Sequence, residues 1–83
     1  MKKLTKKALT EMLKKDYFVA NFKAVVEDKE NAKFYIIYPY SMIILTYTTY
    51  GWSFVAFGEI MRSSCAYYVK LTNTMDDTYN YEA

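Results

Sequence analysis

The chain contains no histidine. That removes the commonest general base, the usual orienting partner of a serine or cysteine nucleophile, and the commonest metal ligand. The one cysteine, Cys65, excludes an intramolecular disulfide and any cysteine-based zinc cluster, and points to a reducing compartment. Its expected role is that of a small buried hydrophobe in a strand. The two glycines, Gly51 and Gly58, are not followed by Lys-Ser or a helix start, so they form no phosphate loop. With Pro39 they are the only strong chain punctuation, which excludes low-complexity linkers and a disordered class. Asp76 and Asp77 are adjacent in a polar terminal stretch and are read as solvated rather than as an acid/base pair or a metal site. These absences argue against an enzyme and against any cofactor.

What is present is a large supply of apolar surface. Of 83 residues, 53% are hydrophobic and 19% aromatic, ten of them tyrosines. A chain of this length forms one domain, residues 1–83, and buries only about 60% of the surface its unfolded form exposes. So many large side chains exceed what such a core encloses, and some rings are expected at the surface.

Residues 34–58, FYIIYPYSMIILTYTTYGWSFVAFG, carry no charge at all. A helix through this run would hold Pro39 in its interior among β-branched and aromatic residues, which is unfavourable. A membrane helix needs about twenty predominantly apolar residues, and here serines, threonines and tyrosines dilute the run. It divides instead into strands at 33–38, 42–49 and 52–57, with breaks at Pro39 and at Tyr50 and Gly51. Along the second strand, Ile43, Leu45 and Tyr47 point one way while Ile44, Thr46 and Thr48 point the other.

On either side the periods differ. Leu4, Ala8, Leu9, Met12 and Leu13 recur at helical spacing opposite Lys3, Lys7 and Lys14, which predicts an amphipathic helix over 4–15 with Thr5 as its cap. From Tyr17, alternation of Phe18, Ala20, Phe22, Ala24 and Val26 with their neighbours predicts a strand over 17–27. Residues 53–63 are compatible with strand or helix, strand followed by a turn being preferred. Alternation of Cys65, Tyr67, Val69 and Leu71 predicts a last strand over 65–72, followed by a polar tail over 73–83. The expected fold is α+β, an N-terminal amphipathic helix packed on a four- or five-stranded antiparallel sheet, with a meander as the simplest order.

Charge is uneven: residues 1–15 hold six lysines and one glutamate, whereas the remainder is net acidic. Phe, Tyr, Met, Ile, Asn and Lys make up 39 of the 83 residues, the usage of an AT-rich genome. A short chain that opens MKKLTKKALTEMLKK and continues into tyrosine-rich strands resembles the small inhibitor proteins of bacteriophages and mobile elements, anti-CRISPR and anti-restriction proteins among them. The resemblance is one of size and composition and rests on no motif. It implies a role in occluding a larger host protein, in the cytoplasm of a bacterial host.

Two binding functions follow. In the first, a tyrosine-rich sheet face holding Tyr35, Ile37, Ile44 and Tyr68, with Tyr50 near its end, binds another protein or a second copy as a homodimer. In the alternative, Lys3, Lys7 and Lys14 contact phosphates while sheet tyrosines stack bases. The acidic balance of the sheet region disfavours nucleic acid, and no membrane partner is expected. In the inward direction, Phe18, Ile36, Leu45 and Val69 are expected to face the helix.

Overall fold

The uncharged run folds into three consecutive strands in the computed structural model of the chain, which describes residues 1–82. They are β3 (Lys33–Ile37), β4 (Ser41–Thr48) and β5 (Gly51–Gly58), and β2 (Ala24–Asp28) precedes them. The four pair antiparallel in the order β2-β3-β4-β5, the expected meander. Pro39 sits with Tyr40 in the tight turn between β3 and β4, where Tyr38 N–H donates to Ser41 O at 2.9 Å. Strand β5 ends at Gly58, whose φ of +80° is a left-handed value that suits glycine, and a Cβ there would run into the carbonyl oxygen of Tyr40.

The N-terminal helix α1 spans Lys6–Lys14. Thr5 caps it as expected, its Oγ1 accepting from Ala8 N–H at 3.1 Å. Leu4 precedes the helix and belongs to a different device. The segment Lys2–Lys3 (β1) pairs in parallel with Tyr79–Asn80 (β6), and Leu4 N–H donates to Asn80 O at 2.8 Å. This pair clasps the two ends of the chain together and buries Leu4 fully.

Two expectations are corrected here. Residues 17–23 are turns, not strand, because Asp16 Oδ1 accepts from Phe18 N–H at 2.9 Å and Asp16 O accepts from Val19 N–H at 3.2 Å. This local bonding competes with the ladder and shifts the alternation by one. Val19 and Val25 are therefore buried, while Phe18 and Val26 are about half exposed.

The larger correction is the expected strand at 65–72, which is the middle of a second helix, α2 (Arg62–Thr78). Its buried residues are Ser64, Tyr68, Leu71, Thr72 and Met75, spaced by four, three, one and three, the pattern of one helix face. No glycine or proline occurs after Gly58 to stop it. Val69, expected to face inward, is 51% exposed. The polar tail expected over 73–83 accordingly supplies the last turns of α2 and β6; its final residue, Ala83, lies outside the described residues.

One buried cluster holds the molecule together. It joins Leu4, Leu9, Leu13 and Val19 to Val25, Phe34, Ile36, Ile43, Leu45 and Trp52 of the sheet, and to Tyr68, Leu71 and Met75 of α2. Each fully buried Leu, Ile or Phe contributes about 1.5–3 kcal/mol relative to an exposed one. Helix α2 runs alongside β5 and is tied at several heights. Ser64 Oγ donates to Phe18 O, Tyr67 OH donates to Met12 O, and the Asp76 carboxylate accepts from Trp52 N–H. Gly51 makes room for that carboxylate, since a Cβ there would collide with it.

The β2–β3 turn carries the one non-glycine residue with positive φ among the described residues, Ala32 at 53°. An alanine in this region is strained by roughly 1–2 kcal/mol, and glycine would relieve that at an entropic cost of about 0.5–1 kcal/mol. Ala32→Gly is therefore expected to stabilise the protein by about 0.5 kcal/mol, seen as a higher urea midpoint with an unchanged slope. A lower midpoint would contradict the strain assigned to this turn.

Candidate binding surface on the outer sheet face

Strand alternation sorts the sheet residues into two sets, and the register stacks each set into rows across the strands. The inner set is the core. On the outer side, Val26, Tyr35, Ile44 and Val55 stand directly opposite one another across all four strands. A second row holds Ala24, Ile37, Met42 and Phe57, and a third, Asp28, Lys33, Thr46 and Ser53. The third row is polar and internally bonded where Lys33 Nζ donates to Thr46 Oγ1 at 3.3 Å. Two adjacent rows are therefore purely apolar apart from the Tyr35 hydroxyl.

None of these outer residues belongs to the buried cluster, to which both helices contribute their own buried residues. Val26, Val55 and Phe57 are 46%, 53% and 50% exposed, and Tyr35, Ile37, Met42 and Ile44 are partly exposed. With strands about 4.8 Å apart, the rows cross about 14 Å of sheet. This contiguous apolar surface on a small domain is the candidate interaction site.

Of the residues expected to form the site, the structure brings Tyr35, Ile37 and Ile44 together on this face, with Thr46 and Thr48 on the same side. Tyr50 is not part of it: it stands 96% exposed in the β4–β5 turn. Tyr68 is a correction, since it lies in α2 and is fully buried. Tyr35 is then the only tyrosine on the face, and the most exposed tyrosines, Tyr17, Tyr40 and Tyr50, stand in turns. The surface is aliphatic rather than tyrosine-rich. Val26, Met42, Val55 and Phe57 are members that the sequence reading missed; extending the Ile44 alternation into β5 through the two-residue turn would have found the last two. Lys7 and Lys14 line one side of α1 with Lys6, Thr10 and Glu11, whereas Lys3 lies in β1.

No family model, no curated protein and no solved structure matches the chain. Among the described residues no three Cys, Asp or Glu side chains gather as a metal site, and no helix is long and apolar enough to cross a membrane. An open groove of about 490 Å³ between the end of α1 and α2 is lined by Met12, Lys15, Asp16, Tyr67, Lys70 and Leu71 among others.

Behind the face, Tyr68 takes part in the chief buried polar chain. Tyr38 OH donates to Val19 O at 3.2 Å, which commits its single proton, so the 2.6 Å contact between the two phenols has Tyr68 donating and Tyr38 accepting. Tyr38→Phe would leave the Tyr68 hydroxyl and Val19 O both without partners, at a cost of about 2–3 kcal/mol, whereas Tyr68→Phe leaves Tyr38 still bonded and costs about 1 kcal/mol. Denaturant unfolding is expected to rank them so, although Tyr68 is the more deeply buried; the reverse order would contradict the donor assignment.

Burial pushes the phenols of Tyr38, Tyr67 and Tyr68 above their ordinary value of 10.0, most strongly at Tyr68, where the bond given to Tyr38 adds to the shift. Below about pH 10 these groups are protonated in both states and stability is retained. Above it the unfolded chain releases protons that the folded chain keeps, so stability falls as pH rises further.

Proposed function

We propose that the protein is a non-enzymatic binding module that docks the outer sheet face onto an apolar surface of another protein. The observation that carries this reading is the pair of uncovered apolar rows, Val26-Tyr35-Ile44-Val55 and Ala24-Ile37-Met42-Phe57, spanning all four strands. Their composition, an aromatic and aliphatic centre poor in charge, is that of an interface core, and the row with Asp28 and Lys33 supplies a polar rim. Occlusion of a larger host protein is the form of this function that the resemblance to phage inhibitors implies.

The nucleic-acid alternative needs stacking rings and phosphate-binding lysines on one surface. Here the outer face offers one tyrosine and one lysine, Tyr35 and Lys33. Lys7 and Lys14 sit on α1, whose buried face joins the core from the inner side. That separation favours protein over nucleic acid.

Ile44→Lys places a charge at the centre of the face, and Val69→Lys places the same charge on the exposed side of α2. Capture from extracts of cells that make the protein is expected to lose its partner with the first variant and retain it with the second. Equal retention would remove the outer face as the docking surface.

A further inference from the structure

The two edges of the sheet are unlike. Strand β2 is short, carries Glu27 and Asp28, and lies near α1. Strand β5 runs eight residues, GWSFVAFG, without a charge or a proline, and from Val55 to Gly58 it is exposed. Charges, prolines and short length are the usual protections against pairing with another chain, and β5 has none of them.

The register shows which backbone groups of β5 are free. Glu59 N–H donates to Tyr40 O, and in an antiparallel ladder bonded and non-bonded residues alternate. Gly51, Ser53, Val55 and Phe57 therefore bond to β4, whereas Trp52, Phe54, Ala56 and Gly58 turn their N–H and C=O groups outward. The carboxylate of Asp76 on Trp52 N–H agrees with this assignment and closes the first outward donor. Among the described residues no other element bonds to the backbone of Phe54 or Ala56.

We propose that β5 pairs antiparallel with β5 of a second copy across a two-fold axis at Val55, forming a dimer with a continuous eight-stranded sheet. The occupant is specified by the strand itself. With Val55 opposite Val55, Trp52 faces Gly58, Ser53 faces Phe57 and Phe54 faces Ala56, so each large ring meets a small residue and each protomer presents the same surface. Phe54 and Ala56 become bonded partners in both directions, and the Asp76 carboxylate on Trp52 N–H ends the ladder at that position. No charge on either strand opposes the pairing. This inference rests on the edge backbone and is independent of the docking role of the outer face, which the dimer would double in width.

Sedimentation of the purified chain, followed from about 1 μM to about 500 μM to cover micromolar affinities, is expected to show conversion to twice the 9.8 kDa single-chain mass. Hydrogen exchange should slow at the Phe54 and Ala56 amides as concentration rises, while the amides of Val55 and Phe57 stay protected throughout. Ala56→Pro removes an outward N–H and spares the β4–β5 ladder. It deletes two intermolecular bonds per dimer and is expected to weaken association by roughly 30-fold or more. Ala56→Lys, which keeps the N–H and adds a charge, checks the result without a change of backbone. A chain that stays monomeric across the range, or a dimer as strong in both variants as in the wild type, would overturn the proposal. Ile44→Lys, which blocks docking on the outer face, leaves Phe54 and Ala56 intact, so the two interactions fail separately.

Discussion

Replacing Tyr68 by alanine is expected to lower the melting temperature by roughly 15 °C or more, or to leave the chain unfolded at room temperature. Tyr68 is the largest fully buried side chain, set in the middle of α2 against Phe54 and Tyr67. Truncating a buried aromatic residue costs about 3–5 kcal/mol through lost transfer energy and the cavity left behind. A domain of this length has a total stability of about 4–12 kcal/mol, so the loss takes about a quarter of the total at the least. In a domain of 60–100 residues each kcal/mol moves the midpoint by about 4–8 °C. Removal of the phenol also deprives Tyr38 of the proton it accepts. Thermal unfolding followed by circular dichroism reads the effect directly. A variant that melts within a few degrees of the wild type would place Tyr68 at the surface, as the strand reading of 65–72 did.

On the proposed docking through the outer face, Ile44→Lys is expected to cost at least about 2 kcal/mol of binding, close to a 30-fold loss of affinity, because it puts at the centre of that face a charge that docking would desolvate. The fold should feel it far less. Ile44 sits on β4, an inner strand of the sheet, with Tyr35 and Val55 beside it on the solvent side, and substitutions on such positions span about 1 kcal/mol. Tyr35→Ala tests the same surface without adding charge and should likewise spare the melting temperature. The contrast with Tyr68→Ala separates the two roles: one tyrosine carries the core and the other the surface. Loss of binding and of fold in parallel on Ile44→Lys would contradict the assignment of that face to solvent.

The sheet was legible in the sequence because its signals agree. The charge-free run, the break at Pro39 and the alternation of Ile43, Leu45 and Tyr47 with Ile44, Thr46 and Thr48 all point to strands, and β3, β4 and β5 lie within a residue or so of the expected bounds. That alternation also located Tyr35, Ile37 and Ile44 on the outer face. Strand β2 was misphased because the turn begins with a bond from Phe18 N–H to the Asp16 carboxylate, and nothing in the apolar spacing from Phe18 to Val26 reports such a bond.

Helix α2 was misread for a different reason. Cys65, Tyr67, Val69 and Leu71 satisfy a period of two over one short window, while Ser64, Tyr68, Leu71, Thr72 and Met75 satisfy the helical period only when two polar residues are counted as buried. Thr72 bears burial by bonding its hydroxyl to Tyr68 O and Val69 O inside the helix, and Ser64 by bonding to Phe18 O. Hydrophobicity alone does not reveal either bond. Placing Tyr68 on the sheet face followed from that period error. The β1–β6 clasp was likewise invisible, since two-residue strands carry no periodicity and their partners lie at opposite ends of the chain.

The most direct test of the docking role is site-specific photo-cross-linking in the cells that make the protein. A benzophenone side chain is introduced at residue 44 on the outer face and, in a second variant, at residue 69 on the exposed side of α2. A discrete cross-linked protein product is expected from residue 44, absent from residue 69 and lost when Tyr35→Ala is combined with the probe. Equal products from both positions, or a product from residue 69 alone, would contradict it.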